Sequence, residues 1–248
     1  MQKISVIVIT KNEEKNIKEC LNSIKWADEI IVVDSESKDK TLKIASNYTS
    51  KIFTKKWEGF SLQKKYALSL AANEWVLNID ADERVSEKLK DEIENLTFNS
   101  DGYFIPRENY FINKKITTCG WEKDFQLRLF KKSKTNIIER LVHEGFIVNG
   151  KVDYLKNPLI HCTFTSIESS FAKINNYSTL QALEIYKEKK KVRGSTIISH
   201  GLSAFLRYYI SLKGYKDGIH GLMISMFNSI TTLLTYMKIW EFQESEKK

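Results

Sequence analysis

Glu74-Trp75-Val76-Leu77-Asn78-Ile79-Asp80-Ala81-Asp82-Glu83 is the stretch on which the fold turns. A short, nearly unbroken apolar run ends abruptly in acids, the pattern of a strand buried on both faces that stops at a polar sheet edge. Two earlier runs share this form. Ile4-Ser5-Val6-Ile7-Val8-Ile9-Thr10 leads into Lys11-Asn12-Glu13, and Glu29-Ile30-Ile31-Val32-Val33-Asp34 leads into Ser35-Glu36-Ser37. Residues 51–54 form a weaker strand. Between the strands the apolar spacing becomes helical: Ile17, Leu21 and Ile24, then residues 37–45 with Leu42 and Ala45 inward, then residues 59–72 with Leu62, Tyr66 and Leu70 on one face. Leu89, Ile93 and Leu96 mark a further helix that Ser86 caps. Strand and helix in alternation predict an α/β fold with a mostly parallel sheet flanked by helices.

Beyond residue 100 the pattern changes. Residues 103–111 and 125–130 read as strands and 152–160 as strand or extended chain; a long helix begins at Ser166 with Phe171, Ile174, Tyr177 and Tyr186 inward. A last helical region covers 197–240, broken near Gly214 and Gly218. The expected organisation is one domain over residues 1–165, divided into halves of different pattern (1–100 and 101–165), followed by a helical C-terminal extension over 166–248.

The net charge of +8 is uneven. Residues 1–150 carry 25 Lys/Arg against 23 Asp/Glu, and residues 151–248 carry 14 against 8. The basic excess in the C-terminal part suits an anionic membrane surface, an acidic substrate or a nucleic acid. Nucleic acid ranks last, because no compact basic stretch is interleaved with aromatics. Cys20, Cys119 and Cys162 are odd in number and widely spaced, which argues against a disulfide framework or a structural zinc site and suits a reducing compartment. The first apolar run is too short for the core of a signal peptide and reads as a buried strand. Residues 218–237 have the length of a membrane span and no Asp, Glu, Lys or Arg. Their apolar residues (Ile219, Leu222, Met223, Met226, Phe227, Ile230) nevertheless lie opposite Ser225, Asn228, Ser229, Thr231, Thr232 and Thr235, so the expectation is an amphipathic helix that packs internally, mediates a dimer or lies in a membrane interface.

In open α/β sheets ligands bind beyond the carboxyl ends of the strands. Here those ends gather Thr10, Asn12, Glu13, Asp34, Asp80, Asp82 and Glu83. There is no Gly-x-Gly-x-x-Gly after the first strand and no phosphate-cradling Gly-rich loop with Lys and Ser/Thr. An acidic edge needs a cation to hold phosphate. Asp80 and Asp82, one residue apart, are placed to share a divalent ion, Mg²⁺ or Mn²⁺, bound against a diphosphate.

The runs 5–14, 31–37 and 78–83 resemble the family 2 glycosyltransferases. More narrowly, Gly120-Trp121, Asp124-x-Gln126-Leu127-Arg128-Leu129-Phe130, Val142-His143-Glu144 and His161-x-Thr163 resemble the bacterial lipopolysaccharide core β-1,4-glucosyltransferases. The resemblance implies the GT-A nucleotide-diphospho-sugar transferase fold and an inverting transfer of a hexose, glucose first, from a UDP-sugar to a lipopolysaccharide or lipooligosaccharide core. Capsule, exopolysaccharide or another glycan is the alternative acceptor, and a sugar-nucleotide-binding, membrane-docking protein the alternative without catalysis. By resemblance, Thr10, Asn12, Glu13 and Asp34 contact the nucleotide, Lys64 the donor phosphate and Asp80 the ribose, while Asp82 and His161 hold the metal. Asp124 is the first candidate for the general base, with Glu144 and Glu122 as alternatives. Trp121, Gln126, Arg128 and His143 fall on the acceptor side. The family pattern has Asn where this chain has Lys65. The implied setting is cytoplasmic, peripheral on the inner face of the membrane, with a homodimer as a further possibility.

Overall fold

The computed structural model describes residues 2–138, 145–164, 166–188 and 191–246. It comprises two compact units: Met1–Glu108 with Asp124–His161, and Asn109–Lys123 with Cys162–Lys248. Segment 109–123 belongs to the second unit together with the C-terminal helices.

In the first unit, β1 (Ile4–Thr10), β2 (Glu29–Asp34), β3 (Ile52–Thr54) and β4 (Trp75–Asp80) form a parallel group in the order β3-β2-β1-β4. β5 is Glu83–Val85 and β6 is Gly102–Phe111; β7 (Lys114–Lys115) lies in the second unit. β8 (Phe125–Lys131) extends the sheet antiparallel to β4, and β6 lies antiparallel to β8 with a register shift at Tyr103/Phe104. β9 (Thr135–Ile138) and β10 (Gly145–Val148) form a separate antiparallel pair, and β11 (Val152–Tyr154) lies parallel to β6. β12 (Leu159–Phe164) pairs antiparallel with β5.

Every residue of β1 and β2 is buried, as parallel strands covered on both faces must be. The side-chain period of two sorts them. Val6, Val8, Val32, Leu77 and Ile79 pack under α1 (Ile17–Asn22) and α4 (Glu87–Glu94) through Ile17, Leu21, Leu89 and Ile93. Ile7, Ile9, Ile31 and Val33 pack on the other side under α3 (Phe60–Leu70), through Ala67 and Leu68. Each such aliphatic contributes about 1.5–3 kcal/mol by leaving water, so the core fixes where the strands end. Ser86 Oγ accepts from Leu89 N at 3.2 Å, the cap expected from sequence.

Three local expectations are corrected. The helix expected over 37–45 is only α2 (Thr41–Ala45), because Asp34 Oδ2 takes the Ser37 amide at 2.8 Å and the chain stays irregular up to Lys40. On α3 the inward side is Gln63, Lys64, Ala67 and Leu68, whereas Leu62 is exposed. The extended chain expected over 152–160 is two strands parted around Pro158, which cannot donate to a ladder.

The second unit is built on α5 (Ile167–Tyr186), α6 (Gly194–Leu206), a π-helical turn (Arg207–Ser211), a 3-10 turn (Gly214–Asp217) and α7 (Ile219–Ser245). Asp217 anchors segment 109–123 by accepting from Thr117 N at 2.9 Å and Thr118 Oγ1 at 2.7 Å. The buried residues of α5 are Ser170, Ile174, Ser178 and Ala182; Phe171 and Tyr177, expected inward, are exposed at 47% and 45%. On α7 the expected polar side is partly the packed one: Ser225 and Thr235 are buried while Ile219 and Met226 are exposed. The reason is hydrogen bonding within the helix. Ser225 Oγ donates to Gly221 O and Thr235 Oγ1 to Thr231 O, so these short side chains bring no unmet hydroxyl into the helix contacts. Gly221 makes the closest approach, since a Cβ there would lie 1.8 Å from the Gly214 carbonyl oxygen.

Candidate functional site

The carboxyl ends of β1 and β2 are knitted into one platform. Asn12, in the left-handed region at φ 54°, accepts from Lys38 N at 2.8 Å and donates its own amide to Ser37 Oγ at 2.7 Å. Glu13 N donates to Thr41 Oγ1 at 2.8 Å, and Asp34 accepts from both the amide and the hydroxyl of Ser37. A non-glycine residue in the left-handed region costs energy that this network holds in place. Beside the platform, Gln63 Nε2 donates to Ser35 Oγ at 2.5 Å and Lys55 O at 2.9 Å. Lys64 is buried while Lys65 is exposed, so two adjacent cations of α3 meet different surroundings. The buried atoms Thr10 Oγ1, Gln63 Oε1 and both amide atoms of Asn78 have no hydrogen-bond partner among the described residues, an unusual concentration of polar groups at strand ends and beside them.

Asp80 and Asp82 take different partners. β4 ends at Asp80 and a turn follows, so the period of two does not carry through to Asp82. Asp80 Oδ2 meets Arg128 Nη2 at 2.6 Å. Burial pushes the Asp80 carboxyl up, but Arg128 first and Lys64 second outweigh it, leaving it well below the ordinary carboxylate range. Asp82 Oδ1 lies 3.6 Å from His161 Nε2. That juxtaposition is delivered by the β5–β12 ladder, in which His161 stands opposite Glu83.

Glu83 is the buried centre of a longer chain of charges. Its Oε1 accepts from Arg128 Nη2 at 2.5 Å and Arg107 Nη1 at 3.1 Å, and its Oε2 accepts from the Asp80 amide at 2.9 Å. Arg107 continues outward, with Nε and Nη2 at 2.9 and 2.7 Å from Asp124 Oδ2. Gln126 Nε2 donates to Asp124 Oδ1 at 2.9 Å. The result is an alternating series, Asp80–Arg128–Glu83–Arg107–Asp124, in which three site residues proposed from sequence, Asp80, Arg128 and Asp124, are joined through two that the sequence did not assign, Glu83 and Arg107. Glu83 closes the quoted Asp-Ala-Asp-Glu run and was legible as part of it; Arg107 sits in a strand with no motif around it. Cys20 lies beneath this cluster, fully buried, and burial first, then Glu83, Asp82 and Asp80, push its thiol far up.

His143 and Glu144 lie outside the described residues. Trp121 is half-buried in the second unit, its ring stacked near Phe164 with centroids 6.5 Å apart, and Glu122 is exposed.

Asp82 and His161 offer one carboxylate oxygen and one imidazole nitrogen close enough to serve a single ion. Mg²⁺ and Mn²⁺ in phosphate sites are held by one or two protein groups with substrate oxygens and water completing the shell, so this donor set fits such an ion. Among the described residues no larger His/Cys/Asp/Glu cluster with metal-binding geometry occurs.

A family model described as glycosyl transferase family 2 matches residues 5–149. The chain is 36% identical over 260 residues to an uncharacterized glycosyltransferase of Rickettsia typhi, covering 97% of this chain and 88% of that one. It is 29% identical over 248 residues to the lipopolysaccharide core biosynthesis glycosyltransferase LpsC of Rhizobium meliloti, covering 96% and 92% respectively. The solved structure of Staphylococcus aureus TarS 1-349 in complex with UDP-GlcNAc superposes with a TM-score of 0.50 at 17% identity, covering 98% of this chain and 92% of that one, a likeness of fold.

Proposed function

The chain belongs to glycosyl transferase family 2 and has the GT-A fold, and from that premise we propose that it is an inverting enzyme moving a hexose, glucose first, from a UDP-sugar to a lipopolysaccharide or lipooligosaccharide core. The observation that carries this reading is the charge series from Asp80 to Asp124, which ties the donor-side acid at the end of β4 to a carboxylate at the start of β8. Similarity to LpsC along nearly the whole chain supports a core acceptor.

In this reading Asp34, with Thr10, Asn12 and Glu13 around it, receives the nucleoside. Asp80, held ionised by Arg128, accepts from a ribose hydroxyl, and Lys64 meets the donor phosphate. The buried polar atoms of Thr10, Gln63 and Asn78 supply further donors and acceptors for the nucleotide. A divalent ion on Asp82 and His161 supplies Lewis-acid stabilisation of negative charge on the diphosphate.

Asp124 acts as the base. The acceptor hydroxyl oxygen bonds to the anomeric carbon, the bond from that carbon to the diphosphate oxygen breaks, and the hydroxyl proton passes to Asp124. The products are the β-linked glycoside and UDP. Arg107 holds one Asp124 oxygen and Gln126 the other, which fixes the carboxylate's orientation. A base positioned in this way contributes roughly 10²–10⁴-fold to the rate. Because the donor is a cytoplasmic metabolite and the acceptor lipid-linked, the reaction belongs at the inner face of the cytoplasmic membrane.

The test incubates the purified full-length protein with Mg²⁺ or Mn²⁺, a panel of UDP-sugars and heptose-terminated core oligosaccharide, and analyses product linkage. Transfer from UDP-glucose with inversion is expected. Transfer only to capsule or exopolysaccharide fragments would move the acceptor, and no transfer from any common UDP-sugar would sink the reading.

A further inference from the structure

We propose that the second unit docks onto an anionic lipid bilayer through α6, which lies flat in the interface with one apolar line turned into the membrane. Ile198, Leu202, Leu206 and Ile210 follow one another at steps of four along α6 and the π-helical turn, and are exposed at 69%, 58%, 43% and 57%. Large apolar side chains scattered singly need no explanation, but four in line do. The helix cannot roll to hide them. Its other side is fixed on α7 at Gly201, where a Cβ would meet the Leu233 side chain at 2.4 Å and whose carbonyl accepts from Ser229 Oγ at 2.8 Å.

The charges around the line select the occupant. Residues 191–216 contain Lys191, Arg193, Arg207, Lys213 and Lys216, and no Asp or Glu. Lys191, Arg193, Arg207, Lys213 and Lys216 are exposed. Two copies of this chain meeting on this face would set like charges against each other, whereas anionic headgroups complement them. An aromatic series borders the line, Phe205 stacked on Tyr209 at 5.4 Å and Tyr209 edge-on to Tyr215 at 6.3 Å, and tyrosine is a residue suited to the headgroup level. No helix among the described residues is long and apolar enough to cross a membrane, so the contact is a surface one. The helix that carries it is not the one that sequence hydropathy singled out. The inference rests on the proposed lipid-linked acceptor only for its biological setting; the apolar line and its charges are independent of the reaction.

Flotation of the full-length protein with vesicles of phosphatidylcholine alone, or of phosphatidylcholine mixed with phosphatidylglycerol, tests it. The protein is expected to float with the mixed vesicles, and raised salt should weaken binding, since each cation near the surface contributes about fivefold to partitioning. The double variant Ile198→Ser with Leu202→Ser, whose side chains are exposed so that the circular dichroism should be unchanged, should lower partitioning by roughly tenfold or more. No flotation, or equal flotation of the variant, overturns the inference. So does a concentration-dependent dimer in sedimentation that the variant abolishes, because a second copy would then be the occupant. Sugar transfer to a water-soluble acceptor without flotation defeats the docking alone, and flotation without transfer defeats the proposed reaction alone.

Discussion

Arg107 and Arg128 share a single acceptor atom, Glu83 Oε1, at 3.1 and 2.5 Å. Glu83 is fully buried, and its other oxygen is taken by the Asp80 amide. Two guanidinium groups thus depend on one carboxylate, and each reaches from it to a different candidate site acid.

Removing that charge should be costly. Glu83→Gln leaves two cations without their common anion, and breaking a buried pair from one side costs about 3–5 kcal/mol. Glu87→Gln, at an exposed pair 3.9 Å from Lys90, should cost less than about 1 kcal/mol. Urea unfolding midpoints compare the two, and equal losses would show that the Glu83 cluster holds nothing together.

Arg107 acts on the proposed base through geometry. Lysine at this position keeps the charge but cannot reach Glu83 and Asp124 from a planar fork, so Arg107→Lys should lower kcat by roughly 10–100-fold with the donor KM little changed. The acid limb of its pH–rate profile should also move, which a purely structural loss would not cause. Asp124→Asn should lower kcat by about 10²–10⁴-fold with retained UDP binding. Steady-state kinetics with both substrates varied separates these effects.

Asp82 and His161 should act together on the metal. His161→Ala and Asp82→Asn should each raise the Mn²⁺ concentration for half-maximal transfer by about tenfold or more, and the double variant should be little worse than the weaker single one. Electron paramagnetic resonance of Mn²⁺ in the presence of UDP gives a readout independent of turnover. Unchanged binding in both single variants would remove these residues from the metal site.

Acid stability depends on Asp80. Its folded pKa is depressed, so below the ordinary carboxylate value near 4 the unfolded chain binds the proton that the folded one refuses. The stabilisation is therefore complete at neutral pH and is lost as pH falls through the acid range. Asp80→Asn should flatten the slope of unfolding free energy against pH below about pH 4. A residual slope of the same sign should remain, because Glu29, Asp39 and Asp217 are also shifted downward.

Much of this arrangement was legible in the amino-acid order alone. β1 and β2 run over the residues that their apolar composition marked, because strands buried on both faces need continuous apolar side chains. The acids at the strand ends were legible because a sheet edge is where such runs must stop. What hydropathy could not convey was partnership across the chain. His161 reaches Asp82 only through the β5–β12 register, and Arg107 reaches Asp124 only because β6 and β8 are neighbours. The helical faces failed for a related reason. Ser170, Ser178, Ser225 and Thr235 score as polar, yet Ser170, Ser225 and Thr235 satisfy their hydroxyls on the carbonyl one turn back, and Ser178 on that of Asn175. Once satisfied, they pack better than Phe171 or Tyr177 in a close helix contact.

The same closeness makes Gly221 hard to replace. A Cβ there would sit 1.8 Å from the Gly214 carbonyl oxygen, a backbone atom that no side-chain rotation can move aside. Gly221→Ala must displace either the start of α7 or the 3-10 turn that holds Asp217 against Thr117 and Thr118. Overpacking of a rigid contact costs about 1–3 kcal/mol or more, which exceeds the gain of about 1 kcal/mol from replacing glycine by alanine within a helix. Gly194 is the control: it opens α6, a methyl group added to it would meet nothing within 4 Å, and it has no positive φ. Gly194→Ala should be neutral or slightly stabilising, while Gly221→Ala lowers the melting temperature by several degrees. If calorimetry finds the two variants alike, the approach of α7 to the 3-10 turn is looser than the 1.8 Å separation requires.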